Sequence, residues 1–310
     1  MKPDLTVFLA GIKMKNPVMT ASGTYGFGDA YTDFYALGEL GALVVKGVTL
    51  EPRRGNPPPR LAETPAGLLN SIGLENPGVE AVLKHYLPGL SQAGTPVIVN
   101  IAGNSIDDYV RVAERLHASP VVKALEVNIS CPNVKCGGLA FGSEPGMASQ
   151  VIGAVKRHSR LPVIAKLSPN VTDIGEIALA VEEAGADAIS LINTLVGMKI
   201  DIKKRRPALA NLVGGLSGPA VRPVAVRMVY EVSQKVKVPL IGLGGIITAE
   251  DALEFIMAGA SAVAVGTGNF INPCCCREII AGLTAYCETN KIANITALTG
   301  AAWRYDDGSC

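Results

Sequence analysis

Eight short runs of apolar, β-favouring residues recur along this chain, and amphipathic helical patterns separate most of them. The runs cover residues 17–20, 42–46, 96–101, 124–128, 162–167, 187–192, 239–243 and 262–266. Helical periodicity covers 106–117, 147–158, 174–184, 220–235 and 249–258. Near-continuous apolar strands with helices between them imply a parallel sheet whose faces are covered by those helices. Eight such units point to a closed (β/α)8 TIM barrel, with a doubly wound open sheet as the alternative. The phrases Glu182-Glu183-Ala184-Gly185-Ala186-Asp187-Ala188-Ile189 and Ile256-Met257-Ala258-Gly259-Ala260-Ser261-Ala262-Val263 repeat one plan: a helix end, a glycine cap, then the next strand. A chain of 310 residues exceeds the roughly 250 that such a barrel needs, and no linker interrupts it, so one domain spanning 1–310 is expected.

Two connections are far longer than the usual two to six residues. One follows the second strand, 47–95, and the other follows the sixth, 193–238; each is expected to hold a helix and a loop insertion. Loops that follow strands line the catalytic face of a barrel. These insertions are therefore expected to cover the C-terminal face.

Composition narrows the function. Hydrophobic residues are 48% and charged residues 18% of the chain, enough apolar material for a large core. A net charge of +1 gives no electrostatic reason to expect nucleic acid or an anionic membrane as partner. The basic run Lys203-Lys204-Arg205-Arg206 reads as a solvated loop. No segment approaches the roughly 20 apolar residues of a membrane span, so a soluble, cytoplasmic protein is expected. The seven cysteines are odd in number and lack a secreted disulfide spacing, which implies reduced thiols.

The residues at the eight strand ends form an unusually polar set: Ser22, Lys46, Asn100, Asn128 with Cys131, Lys166, Asn193-Thr194, Gly244-Gly245 and Gly266-Thr267. Catalytic groups in a barrel gather at these positions. Cys131 lies just past a strand, in a polar loop that Pro132 and Gly137-Gly138 keep from continuing as helix. A thiol among Asn128, Ser130 and Asn133 could act as nucleophile, proton acceptor or metal ligand, or could be a small buried residue. Lys46 and Lys166 stand inside apolar strands, where an unpaired ammonium costs several kcal/mol. They need anionic partners, either strand carboxylates or, as the favoured reading, an anionic ligand. The glycine loops after strands seven and eight occupy the usual phosphate position of these barrels. Neither carries the spacing of a dinucleotide fingerprint or a P-loop.

Four segments carry a family resemblance: Asn70-Ser71-Ile72-Gly73-Leu74-Glu75-Asn76-Pro77-Gly78, residues 128–135, Lys166-Leu167-Ser168-Pro169-Asn170-Val171-Thr172-Asp173-Ile174, and Gly214-Gly215-Leu216-Ser217-Gly218-Pro219-Ala220. Through them nearly the whole chain resembles the dihydroorotate dehydrogenases, specifically the catalytic flavoprotein subunit of the NAD-dependent, partner-requiring type. The resemblance implies one FMN per chain, with its phosphate on Gly244, Gly245, Gly266 and Thr267 and Gly218 nearby. Ser22, Lys46, Gly47, Asn100, Asn128, Lys166 and Ile192 would hold its ring and ribityl chain. Dihydroorotate would lie over the flavin, held by Lys46, Asn70, Ser71, Ile72, Gly73, Leu74, Asn128, Asn193 and Thr194. Cys131 would be the general base at C5 while hydride leaves C6, and Lys166 would stabilise charge on the flavin. A free thiol ionises near pH 8.5, about where its activity would rise.

The same resemblance implies an enzyme of pyrimidine biosynthesis. Its electrons would pass through a partner subunit carrying FAD and an iron-sulfur cluster to NAD, in a heterotetramer of two catalytic and two partner chains. Alternatives are the fumarate-dependent homodimeric form, a reductase of uracil or thymine, and a non-catalytic phosphate-ligand barrel. Cys136 departs from the polar residue expected there, and Cys274-Cys275-Cys276 is unusual. Asn272 and Pro273 read as the N-cap and first position of a helix, placing the three thiols in its first turn as small residues, with no metal site expected. His85, His117 and His158 fall in helical patterns without a triad context.

Overall fold

A computed structural model describes residues 2–130 and 141–304. Eight parallel strands form its centre: β1 (Val18–Thr20), β2 (Leu43–Val48), β3 (Val97–Ile101), β4 (Val122–Asn128), β5 (Val163–Lys166), β6 (Ala188–Leu191), β7 (Leu240–Leu243) and β8 (Ala262–Val265). From β2 to β8 each strand pairs with the next in sequence, and β8 pairs β1, giving the order β1-β8-β7-β6-β5-β4-β3-β2. A parallel bridge between Met19 and Ala42 brings β1 to β2, so the sheet closes into a (β/α)8 barrel. At that seam a side chain adds to the backbone bonds from the Gly41 N–H to the Val18 carbonyl and from the Thr20 N–H to the Ala42 carbonyl. The Thr20 hydroxyl donates to the Val44 carbonyl at 3.0 Å and accepts from the Val44 N–H at 2.8 Å.

Among the described residues, six long helices wrap the barrel: α1 (Ile106–His117), α2 (Pro145–His158), α3 (Ile174–Glu183), α4 (Arg222–Ser233), α5 (Ala249–Ala258) and α6 (Cys275–Thr289). Their starts follow from capping residues. Ser105, Asp173 and Thr248 accept hydrogen bonds from the first-turn N–H groups of α1, α3 and α5. Gly185 and Gly259, the glycines of the repeated phrase, take positive φ just beyond α3 and α5. The strands are buried almost throughout, and the inward faces of the helices complete one continuous apolar core. Among the described residues, no helix is long and apolar enough to cross a membrane.

Both long insertions hold the helix and loop expected, helical segments over 79–92 in the first and α4 in the second, and their loop portions also form strands. They contribute Leu61–Thr64 and Gly67–Asn70 from the first, and Leu195–Gly197 and Gly214–Ser217 from the second, which join as one antiparallel sheet. Gly67–Asn70 pairs directly with Gly214–Ser217, so the sheet is stitched from segments 145 residues apart. The basic run 203–206 is exposed in a turn between Ile200–Asp201 and Arg206–Pro207. The helix after Asn272 also begins later than expected, at Cys275, with Cys274 at its N-cap. Asn272 still caps the turn, its Oδ1 accepting from the Cys274 N–H at 2.9 Å.

Candidate active site

The C-terminal ends of the barrel strands and the inserted sheet enclose one cavity. Register explains its floor. Asn100 on β3 is opposite Glu126 on β4; Asn128, two residues on and so on the same face of the strand, is opposite Lys166 on β5, which is opposite Ser190 on β6. The inward positions of four consecutive strands therefore carry polar side chains. Glu126 gathers them: its Oε2 accepts from Asn100 Nδ2 at 2.6 Å and lies 3.4 Å from Lys166 Nζ, and its Oε1 accepts from the Ser190 hydroxyl at 2.9 Å. The side chains of Lys166 and Glu126 are each only 5% exposed. Lys166 also donates to the Ser22 hydroxyl at 3.0 Å, reaching the first strand end across the mouth.

Lys46 arrives by a different device. The β2–β3 register pairs Val45 with Val99 and Val48 with Ile101, so Lys46 and Gly47 together oppose the single residue Asn100. Such a bulge bends the strand and re-aims a side chain. A Cβ on Gly47 would sit 2.8 Å from Asn100 Oδ1, which explains the glycine. Lys46 is half-buried in the cavity wall. No carboxylate among the described residues pairs with it, in contrast to Lys166.

Amides line the wall beside Lys46. Asn193 Nδ2 donates to Asn128 Oδ1 at 3.2 Å, while Asn193 Oδ1 accepts from the Thr194 N–H at 2.8 Å. Asn128 Oδ1 further accepts from the Ser130 N–H at 3.2 Å. Asn70 reaches the cavity from the inserted sheet, anchored by a bond from its Nδ2 to the Gly215 carbonyl at 3.2 Å. Gly218, Gly244, Gly245, Gly266 and Thr267 line the same cavity. Gly218, Gly244 and Gly245 have φ of +93°, +135° and +81°, conformations that favour glycine. A Cβ on Gly245 would lie 2.7 Å from the Gly218 carbonyl oxygen, so these loops pack backbone against backbone. The Thr267 hydroxyl donates to that of Ser217 at 2.8 Å and ties the end of β8 to the inserted sheet.

Of the residues expected at a site, Ser22, Lys46, Gly47, Asn70, Ile72, Leu74, Asn128, Lys166, Ile192, Asn193, Thr194, Gly218, Gly244, Gly245, Gly266 and Thr267 all line this cavity. Three stand behind its wall. Asn100 is 1% exposed and holds Glu126; Ser71 is buried and its hydroxyl accepts from Asn56; Gly73 packs against Asn56. Cys131, with Cys136 and the rest of 131–140, lies outside the described residues. Lys166 is corrected in one respect, since a strand carboxylate, Glu126, is its partner. Sequence reasoning also passed over Leu61, Leu68 and Leu216, which give the inserted sheet an apolar underside over the cavity, and Phe270 at its edge.

The thiols of 274–276 belong elsewhere. Cys275 bonds the Ile247 carbonyl and Cys276 the Asn269 side chain, and both are buried. Among the described residues, no group of three or more His, Cys, Asp and Glu side chains could hold a metal. His85 and His158 are exposed, while His117 is partly buried and accepts from the Arg160 N–H at 3.1 Å.

The donor set can be read chemically. An ammonium and amides on the wall suit a small anionic heterocycle, because each amide offers both a donor and an acceptor. A second ammonium on the floor, apolar Ile192 and Leu243 on the wall, and a bare glycine edge suit a flat ring with a phosphate tail.

The profile of the family described as dihydroorotate dehydrogenase matches residues 4–286. A protein of Desulforudis audaxviator named dihydroorotate dehydrogenase B (NAD(+)), catalytic subunit, is 60% identical over 304 residues, covering 98% of this chain and 99% of its own. Proteins of the same name from Geobacillus kaustophilus and Geotalea uraniireducens are 57% and 55% identical over 300 residues, each covering 97% of this chain and 96% and 98% of their own.

Proposed function

The chain belongs to the dihydroorotate dehydrogenase family, and from that premise we propose that it oxidises dihydroorotate to orotate on a bound FMN and passes the electrons to a partner subunit. The observation that carries this reading is Lys46: a half-buried cation without a carboxylate partner among the described residues, set beside Asn70, Asn128 and Asn193 in the mouth of the barrel. The Lys46 ammonium meets the carboxylate of dihydroorotate. The three amides match the alternating N–H and C=O groups of its ring, and the bond between Asn193 and Asn128 fixes which face each amide presents. Ile72, Leu74 and Thr194 complete the pocket, with Ser71 and Gly73 shaping the loop from behind.

The other half of the cavity fits FMN. Gly218, Gly244, Gly245, Gly266 and Thr267 hold the phosphate, while Ser22, Gly47, Ile192 and Lys166 hold the ring and ribityl chain, with Asn100 supporting them from beneath. When bound, FMN supplies an acceptor for the hydride at C6 of dihydroorotate. Cys131 takes the proton from C5, so the substrate loses two electrons and two protons and gains the ring double bond. Lys166 presents positive charge where negative charge develops, an interaction favoured by its burial. The inserted sheet covers the reacting atoms and keeps water from them.

The words "catalytic subunit" and "NAD(+)" in the relatives' names support a partner-dependent enzyme over the fumarate-using form. The partner is proposed to carry FAD and an iron-sulfur cluster, in a cytoplasmic heterotetramer of two catalytic and two partner chains. Cys131→Ala tests the chemistry. The variant is expected to keep its FMN and to be reduced by dihydroorotate at least about tenfold more slowly, the lower end of what a general base contributes. An unchanged rate would remove Cys131 from the reaction.

A further inference from the structure

Glu126 is used by none of the roles above, yet it is the most heavily engaged carboxylate of the barrel floor. Donors from three other strands converge on it: Asn100 from β3, Lys166 from β5 and Ser190 from β6. Buried ionic networks are expensive, and replacing one by packed apolar residues is often neutral or stabilising. Barrel interiors are ordinarily filled by bulky apolar layers. Stability alone therefore gives no reason for this network, whereas its place directly beneath the cavity supplies a functional one.

The distances show how the charge is shared. The carboxylate makes its short bonds to neutral donors, 2.6 Å from Asn100 and 2.9 Å from Ser190, while the ammonium of Lys166 stands off at 3.4 Å. Lys166 turns toward the Ser22 hydroxyl on the cavity wall instead. The pair is thus a fixed dipole with its positive end at the cavity and its negative end below. The other charged groups on the described cavity walls are Lys46 and Glu75, and Glu75 is engaged by Arg60 at 2.6 Å. At 5% exposure neither Lys166 nor Glu126 is screened by solvent.

We propose that Glu126 is a positioning residue that sets the redox balance of the flavin, by offsetting the charge of Lys166 so that the reduced cofactor is stabilised enough to form but not so much that it holds its electrons. This rests on the FMN reading above. Two electrons and one proton enter the flavin as hydride from the substrate and leave a net negative charge on the ring. A lone buried ammonium would hold that charge tightly and oppose transfer of the two electrons to the partner's acceptor. The carboxylate below weakens the hold.

The test equilibrates FMN-loaded protein anaerobically with a redox dye at pH 7, and reads the ratio of oxidised to reduced flavin without dihydroorotate. Glu126→Gln is expected to move the equilibrium at least tenfold toward reduced flavin. Lys166→Met moves it at least tenfold the other way, and the double variant returns close to wild type. Should the single Glu126 variant not fold, the step from Lys166→Met to the double variant carries the same prediction, a tenfold return toward reduced flavin. A Glu126→Gln equilibrium that is unchanged, or moves toward oxidised flavin, overturns the proposal and leaves the carboxylate a support for the lysine. A wild-type chain that takes up no flavin overturns the FMN reading together with it, whereas a flavin-loaded wild type with an unmoved variant overturns this inference alone.

Discussion

Cys276 lies on the inner face of α6, fully buried, with its thiol directed at Asn269 Oδ1 at 3.3 Å. Burial, reinforced by the neighbouring Cys275, pushes this thiol from the usual 9.0 up to about 12. The folded value is above the unfolded one, so the neutral thiol's contribution to stability is complete below pH 9 and is lost as the pH rises toward 12. Urea unfolding from pH 8 to 10.5 should therefore show stability falling above pH 9, by up to about 1.4 kcal/mol per pH unit from this group. Cys276→Ala should show a shallower fall, and identical slopes would assign the alkaline loss to other residues. At this same scale, Lys46 and Lys166 are legible in sequence because an ammonium stands out inside an apolar run. Glu126 is not: one acid within Leu125-Glu126-Val127 reads as an ordinary exposed position of a strand, and only the barrel register brings it against Asn100, Ser190 and Lys166.

The eight barrel strands and their intervening helices are legible because apolar run length, helical period and glycine caps all agree, and their observed bounds differ from the expected ones by a few residues. The inserted sheet is not legible. Its two central strands, Gly67–Asn70 and Gly214–Ser217, are short and glycine-bearing and lack the two-residue alternation that marks a half-buried strand. Their pairing is set by contact across the barrel mouth, which sequence spacing does not reveal. The seam between β1 and β2 is a second feature of this kind, since the Thr20 hydroxyl extends its few backbone bonds. Thr20→Val keeps the shape of the side chain but leaves the buried Val44 N–H without its acceptor, which is expected to cost about 1–3 kcal/mol. Chemical denaturation would measure it, and a loss below a few tenths of a kcal/mol would mean that the seam is held by Gly41 and Ala42 alone.

Over the whole molecule, the barrel supplies the floor and walls of the site and the two insertions supply its roof. The glycine edge, the floor network and the cavity amides come from segments far apart in sequence, so the cavity exists only once the barrel has closed. That dependence is why the residue types were readable from the strand ends while their partners were not. It also means that one experiment addresses cofactor, substrate and redox chemistry together: an anaerobic absorbance titration of the FMN-loaded chain with dihydroorotate. The account predicts a visible flavin band that bleaches as dihydroorotate is added, in the absence of any partner subunit. A chain that cannot take up FMN, or one whose flavin band is untouched by dihydroorotate, would contradict it.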